Sequence, residues 1–341
     1  MKMHDHKLRG KVLRTLLLTT MIGLAAVHSA QAQEKLVVSY PASAGTHGPL
    51  WAAKDLGIFA KYGLSVDTVM IAGSARGIQA LLANSTQIIQ GDPASPILAA
   101  SRGAEIAILA QPLNTFPFTF LTQKEIRKPS DLIGKKIGIL NFGGATEVAV
   151  TAALREWNVP VQSVTIVPLG DDGIRFTALL NGSIDATVLA PPESFVAARS
   201  GINVLAQMSD LKISFPHTVI TARRSFIKQN PDIIKRYVQA YSEAIFLFKT
   251  DVSKGIAVYS KRLRQRDPKV IQQSYDYYAP RFSFPPKPDP VALRTVLDLV
   301  SQHAPEAREQ VDVGHFLDDT AIRSLEKEGF FKKLADARVN K

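Results

Sequence analysis

Short apolar runs bounded by turn residues alternate along this chain with stretches whose apolar positions recur every three to four residues. The short runs stand at 36–40, 66–71, 87–90, 106–110, 136–140, 164–167, 186–189 and 204–206, the lengths expected of buried strands. The stretches between them read as helices, several opened by proline and closed by asparagine or glycine. Further on, the strands give out and helical patterns follow at 231–249, 268–278, 290–303 and 321–335. The first of these sets Ile234, Tyr237, Val238, Tyr241 and Ile245 at helical spacing. Strand–helix alternation of this kind predicts an α/β fold with mostly parallel sheets.

The alternation is itself duplicated. Ala80-Leu-Leu opens a segment ending at Gly103, and Ala178-Leu-Leu opens a second ending at Gly201, each position 98 residues after its counterpart. Both segments run from a helix end (Asn84-Ser85, Asn181-Gly182) through a short strand to a proline turn at Pro93 or Pro191-Pro192. A helix then closes on Gly103 or Gly201, where glycine suits a left-handed cap. The parallel extends upstream, where each first strand feeds a small-residue loop, 42–47 or 141–146, before a helix. Such internal self-similarity governs the reading of the whole fold. It predicts two lobes, each a mostly parallel sheet flanked by helices, with strand-end loops facing each other across a solvent-filled gap.

Residues 1–32 stand outside this pattern. Lys2, Lys7, Arg9, Lys11 and Arg14 precede an apolar run at 16–27 and the small-x-small triplet Ala30-Gln-Ala32, the form of a cleaved signal peptide. An uncleaved anchor would need a longer apolar run. The mature chain is then expected to begin at Gln33. The leader supplies +4 of the formal charge of +11, leaving a scattered +7 that forms no basic stripe with aromatics, so nucleic-acid binding is not expected. The chain has no cysteine, which excludes a thiolate nucleophile, a zinc–thiolate site and a lipid-anchored cysteine. An exported, unanchored chain fits the periplasm of a Gram-negative cell.

At this point the residues resemble a known family. Pro49-Leu-Trp-Ala-Ala, Leu56-Gly-Ile-Phe, Tyr62-Gly-Leu-Ser-Val66 and Pro129-Ser-Asp-Leu-Ile-Gly-Lys-Lys-Ile-Gly138 are similar to the nitrate/sulfonate/taurine-type binding proteins of ABC transporters. Thr221-Ala-Arg-Arg-Ser-Phe226 followed by Asn230-Pro231 extends the likeness, which covers about 34–250. The resemblance implies a type II periplasmic binding fold working with a permease and an ATPase. It places one lobe at 34–121 plus 222–341 and the other at 122–221, with hinge crossings near 120–122 and 217–221. Ser85-Thr86-Gln87 stands where first-lobe members usually read Gly-x-x-Asp, so that aspartate's capping contact is expected to be missing. The related thiamine-pyrimidine synthases carry a cysteine-rich motif that this chain lacks.

Candidate ligand contacts gather at the strand ends. In 141–146, Phe142 offers an apolar wall, Gly143 and Gly144 a close backbone approach, and Thr146 a hydroxyl. The helix after that loop would aim unpaired N–H groups at an anion, although Thr146 as a plain cap is the alternative. Ser43, Gly45, Thr46 and His47 occupy the matching loop of the first lobe; His47 reads as a pocket-wall or surface residue, since no second ligand stands at metal spacing. Ser74, Asp92 and Ser95 follow first-lobe strands, and Glu193 stands at the counterpart of Ser95. Each could simply cap a helix, but Glu193 could also accept from an amino group on a ligand. Phe116 and Phe118 fit core or wall, and Arg76 and Arg175 give no sign of pointing inward. No metal or cofactor is expected.

The combined expectation is a monomeric solute-binding component of an ABC importer that closes around a small organic anion such as a sulfonate or carboxylate. An amino-bearing heterocycle such as a pyrimidine is the alternative ligand. A periplasmic enzyme or a sensor on the same scaffold is the alternative role.

Overall fold

The computed structural model describes residues 34–211, 215–301 and 304–339. The signal peptide read at 1–32 and the start at Gln33 lie outside the described residues. Among the described residues, ten strands form two five-stranded sheets. The first contains β1 (Glu34–Tyr40), β2 (Leu64–Met70), β3 (Ile88–Gly91), β4 (Ile106–Leu113) and β10 (Thr218–Arg223). The second contains β5 (Thr119–Thr122), β6 (Lys136–Ile139), β7 (Thr165–Pro168), β8 (Ala186–Leu189) and β9 (Asn203–Gln207). Strand orders β2-β1-β3-β10-β4 and β7-β6-β8-β5-β9 are the same order, built twice.

In each sheet one strand runs against the rest. β1 pairs in parallel with β2 and β3, whereas β10 lies antiparallel between β3 and β4. β6 likewise pairs in parallel with β7 and β8, and β5 lies antiparallel between β8 and β9. These reversed strands revise the expected crossings. Residues 119–122 are already part of the second sheet, and 218–221 are already part of the first. The chain therefore changes sheet between the end of β4 at Leu113 and the start of β5, and returns before the start of β10 at Thr218, not at 121/122 and 221/222. β5 is buried along its whole length, as a strand covered on both faces must be, and four residues are too few to show periodicity in sequence.

The duplicated segments superpose element on element. Helix α2 (Ser74–Leu82) corresponds to α5 (Asp172–Leu180), and β3 to β8, at the same 98-residue offset. Asn84 and Gly182 both take left-handed backbone after those helices, with φ of 61° and 75°. Gly103 and Gly201 do so after α3 (Ala94–Ala100) and α6 (Glu193–Arg199), with φ of 85° and 78°, as the cap reading expects.

One expectation fails instructively. The capping contact thought missing at 85–87 is present, because Gln87 Oε1 accepts from the β1 amide of Val37 at 2.8 Å. Its counterpart Asp185 accepts from Lys136 N at 2.8 Å. The longer neutral side chain reaches the same strand edge as the aspartate.

Helices beyond residue 223 build most of the first lobe's outer layer. The 20-residue α7 (Pro231–Thr250) turns Ile234, Tyr237, Val238, Tyr241, Ile245 and Phe248 inward against Trp51 and Phe59. Phe59 stacks on Tyr237 with ring centroids 5.3 Å apart. Helices α8 (Val252–Arg262) and α9 (Pro268–Tyr278) add Tyr259, Tyr275 and Tyr278 to this aromatic core. α10 (Pro290–Val300) instead packs Leu293, Val296 and Leu297 into a cluster that also holds Ile78 and Ile97 of the first lobe and Val148 and Ala152 of the second. The stretch expected as one helix over 321–335 is broken at Gly329, whose φ is 69°, into Thr320–Lys327 and Phe330–Val339.

Candidate functional site

The strand-end turns of the two lobes face each other, as the repeat predicts, but the space between them is narrow. A cavity of about 50 Å³ is lined from the first lobe by Thr46, His47, Ser74 and Asp92, and from the second by Thr146, Asp172 and Ala190. Phe118 and His217, from the two crossings, complete its wall. A neighbouring cavity of about 200 Å³ is lined by Ser43, Asp171, Asp172, Glu193 and Arg264. Seven of the twelve sequence-nominated residues thus border one interlobe space.

The others do not. Ser95, Phe142 and Gly143 line a separate groove. Gly45 lies under Tyr278, whose ring carbon would stand 2.3 Å from a Cβ placed there, so its smallness serves packing and not a ligand. Gly144 lines none of the three; a Cβ there would press on the Asn141 amide at 3.1 Å.

The repeat explains how the polar groups are held. Ser74 Oγ accepts from the amide of Asp92 at 3.1 Å, and its counterpart Asp172 accepts from the amide of Ala190 at 2.8 Å. Both tie the first residue of a helix to the residue after the next strand. Asp92 also accepts from the Ser95 amide at 2.9 Å, capping α3 as the bland reading anticipates. Asp172 is engaged by Arg175, which is fully buried and also donates to Gly170 O and Val188 O. Arg175 is therefore spent inside the second lobe, and Arg76 is exposed.

One loop amide and one further helix start meet carboxylates of the chain. Glu147, in α4 (Ala145–Glu156), accepts from Gly143 N at 2.6 Å, and Asp171 accepts from Ile174 N at 3.1 Å. Thr146 Oγ1 accepts from Leu140 N at 2.9 Å. Of the expected anion-binding amides of 141–146, that of Gly143 thus meets the chain's own negative charge, while the start of the following helix carries no side-chain cap.

The remaining groups are neutral or acidic. Tyr241 donates to Gln90 Oε1 at 3.1 Å, and Gln90 Nε2 donates to His47 Nδ1 at 3.0 Å. That chain places the His47 proton on Nε2. Burial, with His217 close by, lowers the His47 pKa to about 3; burial alone does the same for His217. Burial also raises Asp92. Glu193 is pushed up to about 8, first by burial and then by the charge of Asp172. Its Oε2 is buried with no hydrogen-bond partner.

Phe118, read from sequence as core or wall, lines the cavity, whereas sequence reasoning missed His217, Thr218 and Asp172 as lining residues. The signal for Asp172 was present, since it is the repeat partner of Ser74. His217 and Phe118 sit in crossings without a motif. No group of three or more His, Cys, Asp or Glu side chains among the described residues is arranged to hold a metal ion.

Comparison with known proteins agrees with this architecture. The chain is 24% identical over 276 residues to the YtlA protein of Bacillus subtilis, covering 79% of this chain and 82% of that one. It is 28% identical over 231 residues to the taurine-binding periplasmic protein of Escherichia coli, covering 66% and 70%. Among solved structures, the periplasmic aliphatic sulphonate binding protein SsuA from Escherichia coli shares the fold, with a TM-score of 0.68 at 20% identity over 83% of this chain and 97% of that one. The desulfurization enzyme DSZB also shares it, with a TM-score of 0.64 at 15% identity over 86% and 99%. The profile of the NMT1/THI5-like family matches residues 44–249. With its doubled sheets and facing turns, the chain belongs to that family and carries the two-lobed periplasmic binding protein fold.

Proposed function

We propose that this protein is the solute-capturing subunit of an ABC importer, exported by the signal peptide read at 1–32, and that its ligand is a small ring bearing an amino or amidine group. One observation carries the ligand class: Glu193 Oε2 is buried without a partner beside Asp172, and neither cavity offers an unpaired cation. Arg264, at the rim, lies 4.0 Å from Asp171. A ring nitrogen or amino group would donate to Glu193, and the neutral rings of His47, His217 and Phe118 suit a flat aromatic body.

Small organic anions, the other class left open by the sequence, fit this site less well because Asp92 and Asp171 already cap their helices and neither cavity offers an unpaired cation. Taurine, bound by the Escherichia coli relative according to its name, carries both an amino and a sulfonate group and is the discriminating ligand. The cavities, at about 50 and 200 Å³, lie below the usual range of ligand pockets, so capture requires the lobes to part and close again. The protein acts as a carrier, without turnover, and works as a monomer with its permease and ATPase.

The test is calorimetry with 4-aminopyrimidine, taurine and pentanesulfonate. Tightest binding is expected for the aminopyrimidine, weakened about ten- to a hundredfold in Glu193→Gln. Preference for pentanesulfonate, with Glu193→Gln silent, overturns the ligand class.

A further inference from the structure

A larger concave surface lies where Ser95 Oγ faces Gly143 O across the lobes at 3.1 Å. It is a groove of about 660 Å³ whose walls include Ile78 and Leu82 of α2, Leu98 of α3, Val148 of α4 and Val300 of α10. Phe142 forms part of it and stands 53% exposed; Leu82 is 44% exposed. The volume falls within the range of small-molecule sites, and the walls come from both lobes.

Its electrostatics are opposite to those of the cleft. Glu147 borders the groove, but its carboxylate is held by Gly143 N. Arg102 also borders it, is exposed, and has neither an ion pair nor a side-chain hydrogen bond. An apolar trough with one uncommitted guanidinium matches a molecule with a hydrocarbon body and a single negative head.

We propose that this groove is a second ligand site, which binds an apolar-tailed monoanion with its head on Arg102 and its tail along Ile78, Leu98 and Val148. The inference stands independently of the ligand assigned to the cleft. Because the tail touches both lobes, its binding favours the arrangement in which α3 and α4 lie side by side.

The probe is decanoate, used below its micellar concentration and followed by calorimetry on the purified protein. One decanoate per chain is expected, with affinity rising about fourfold per methylene from hexanoate to decanoate. Arg102→Glu weakens it about tenfold or more, Ala99→Trp fills the trough and removes binding, and 1-decanol binds at least tenfold more weakly than decanoate. Arg102 is exposed, so its variant keeps the wild-type thermal midpoint and reports on binding alone. Absence of binding at millimolar decanoate overturns the proposal. So does equal affinity in Arg102→Glu, or loss of binding in Glu193→Gln with Arg102→Glu unaffected, which would place the probe in the cleft.

Discussion

The two lobes are one plan executed twice, and their differences show which features serve the scaffold and which serve the site. Position 77 of the first lobe is glycine, because a Cβ there would meet the Ile89 side chain at 2.3 Å. Its counterpart in the second lobe is Arg175, fully buried and bonded to Asp172 and two carbonyls. At the strand ends the first lobe pairs Ser74 with Asp92, and the second pairs Asp172 with Ala190. The carboxylate has moved from one end of the same hydrogen bond to the other. Asp92 is consumed by its own helix, whereas the second lobe keeps an additional acid, Glu193, with an oxygen to spare. The scaffold bond is common to both lobes, and the surplus acid belongs to one.

The comparison breaks most visibly at position 175. Arg175→Ala takes the guanidinium from Asp172 Oδ1 and the Val188 carbonyl, and is expected to destabilise the protein by about 3–5 kcal/mol in urea unfolding. Gly77→Ala, opposed by a flexible side-chain tip, should cost about 1–2 kcal/mol. Equal effects would mean that the buried hydrogen bonds of Arg175 add nothing to the second lobe's stability.

Protonation separates the lobes next. Glu193, raised to about 8, is held protonated in the folded chain, so its contribution declines as pH rises from its ordinary range toward 8. His47 and His217, lowered to about 3, act with the opposite sign: their contribution is lost as pH falls from about 6.5 toward 3. Urea midpoints across pH should therefore fall on both sides, each limb worth on the order of 2 kcal/mol. Glu193→Gln is expected to flatten the alkaline limb alone and His217→Gln to soften the acid one. An alkaline limb unchanged by Glu193→Gln removes the asymmetry between the lobes.

The smallest difference concerns Gln87 and Asp185. Each accepts one strand-edge amide, so Gln87→Ala should cost about 1 kcal/mol and Asp185→Ala somewhat more, because the second acceptor is charged. A silent Gln87→Ala would show that the first lobe does not need the bond.

The repeat made the architecture legible, because a 98-residue echo carries helix ends, strands and caps together, down to the left-handed Gly103 and Gly201. What escaped was short or distant. β5 and β10 were read as connections, since a few buried residues carry no periodicity. Gly45 read as a site residue because nothing nearby in sequence announces that Tyr278 will close over it. At the site, residue types were legible but their commitments were not. Spacing cannot tell that Glu147 turns back to Gly143 N, or that Arg175 points into its own lobe while Arg102 stays free. The ranking of ligand classes depends on those commitments.

The reversed strands also set the order in which the two sheets acquire their strands along the chain. The second sheet is encoded without interruption from 119 to 207, so it has all five of its strands as soon as that stretch has emerged. The first sheet is not so placed: β4 pairs with β10 and is bridged at Ile108–Leu317 and Leu113–Phe282, and all of these partners are synthesised after the whole second sheet. Until then β4 lacks its sheet partner, so the first sheet is closed only by residues that follow the whole second sheet.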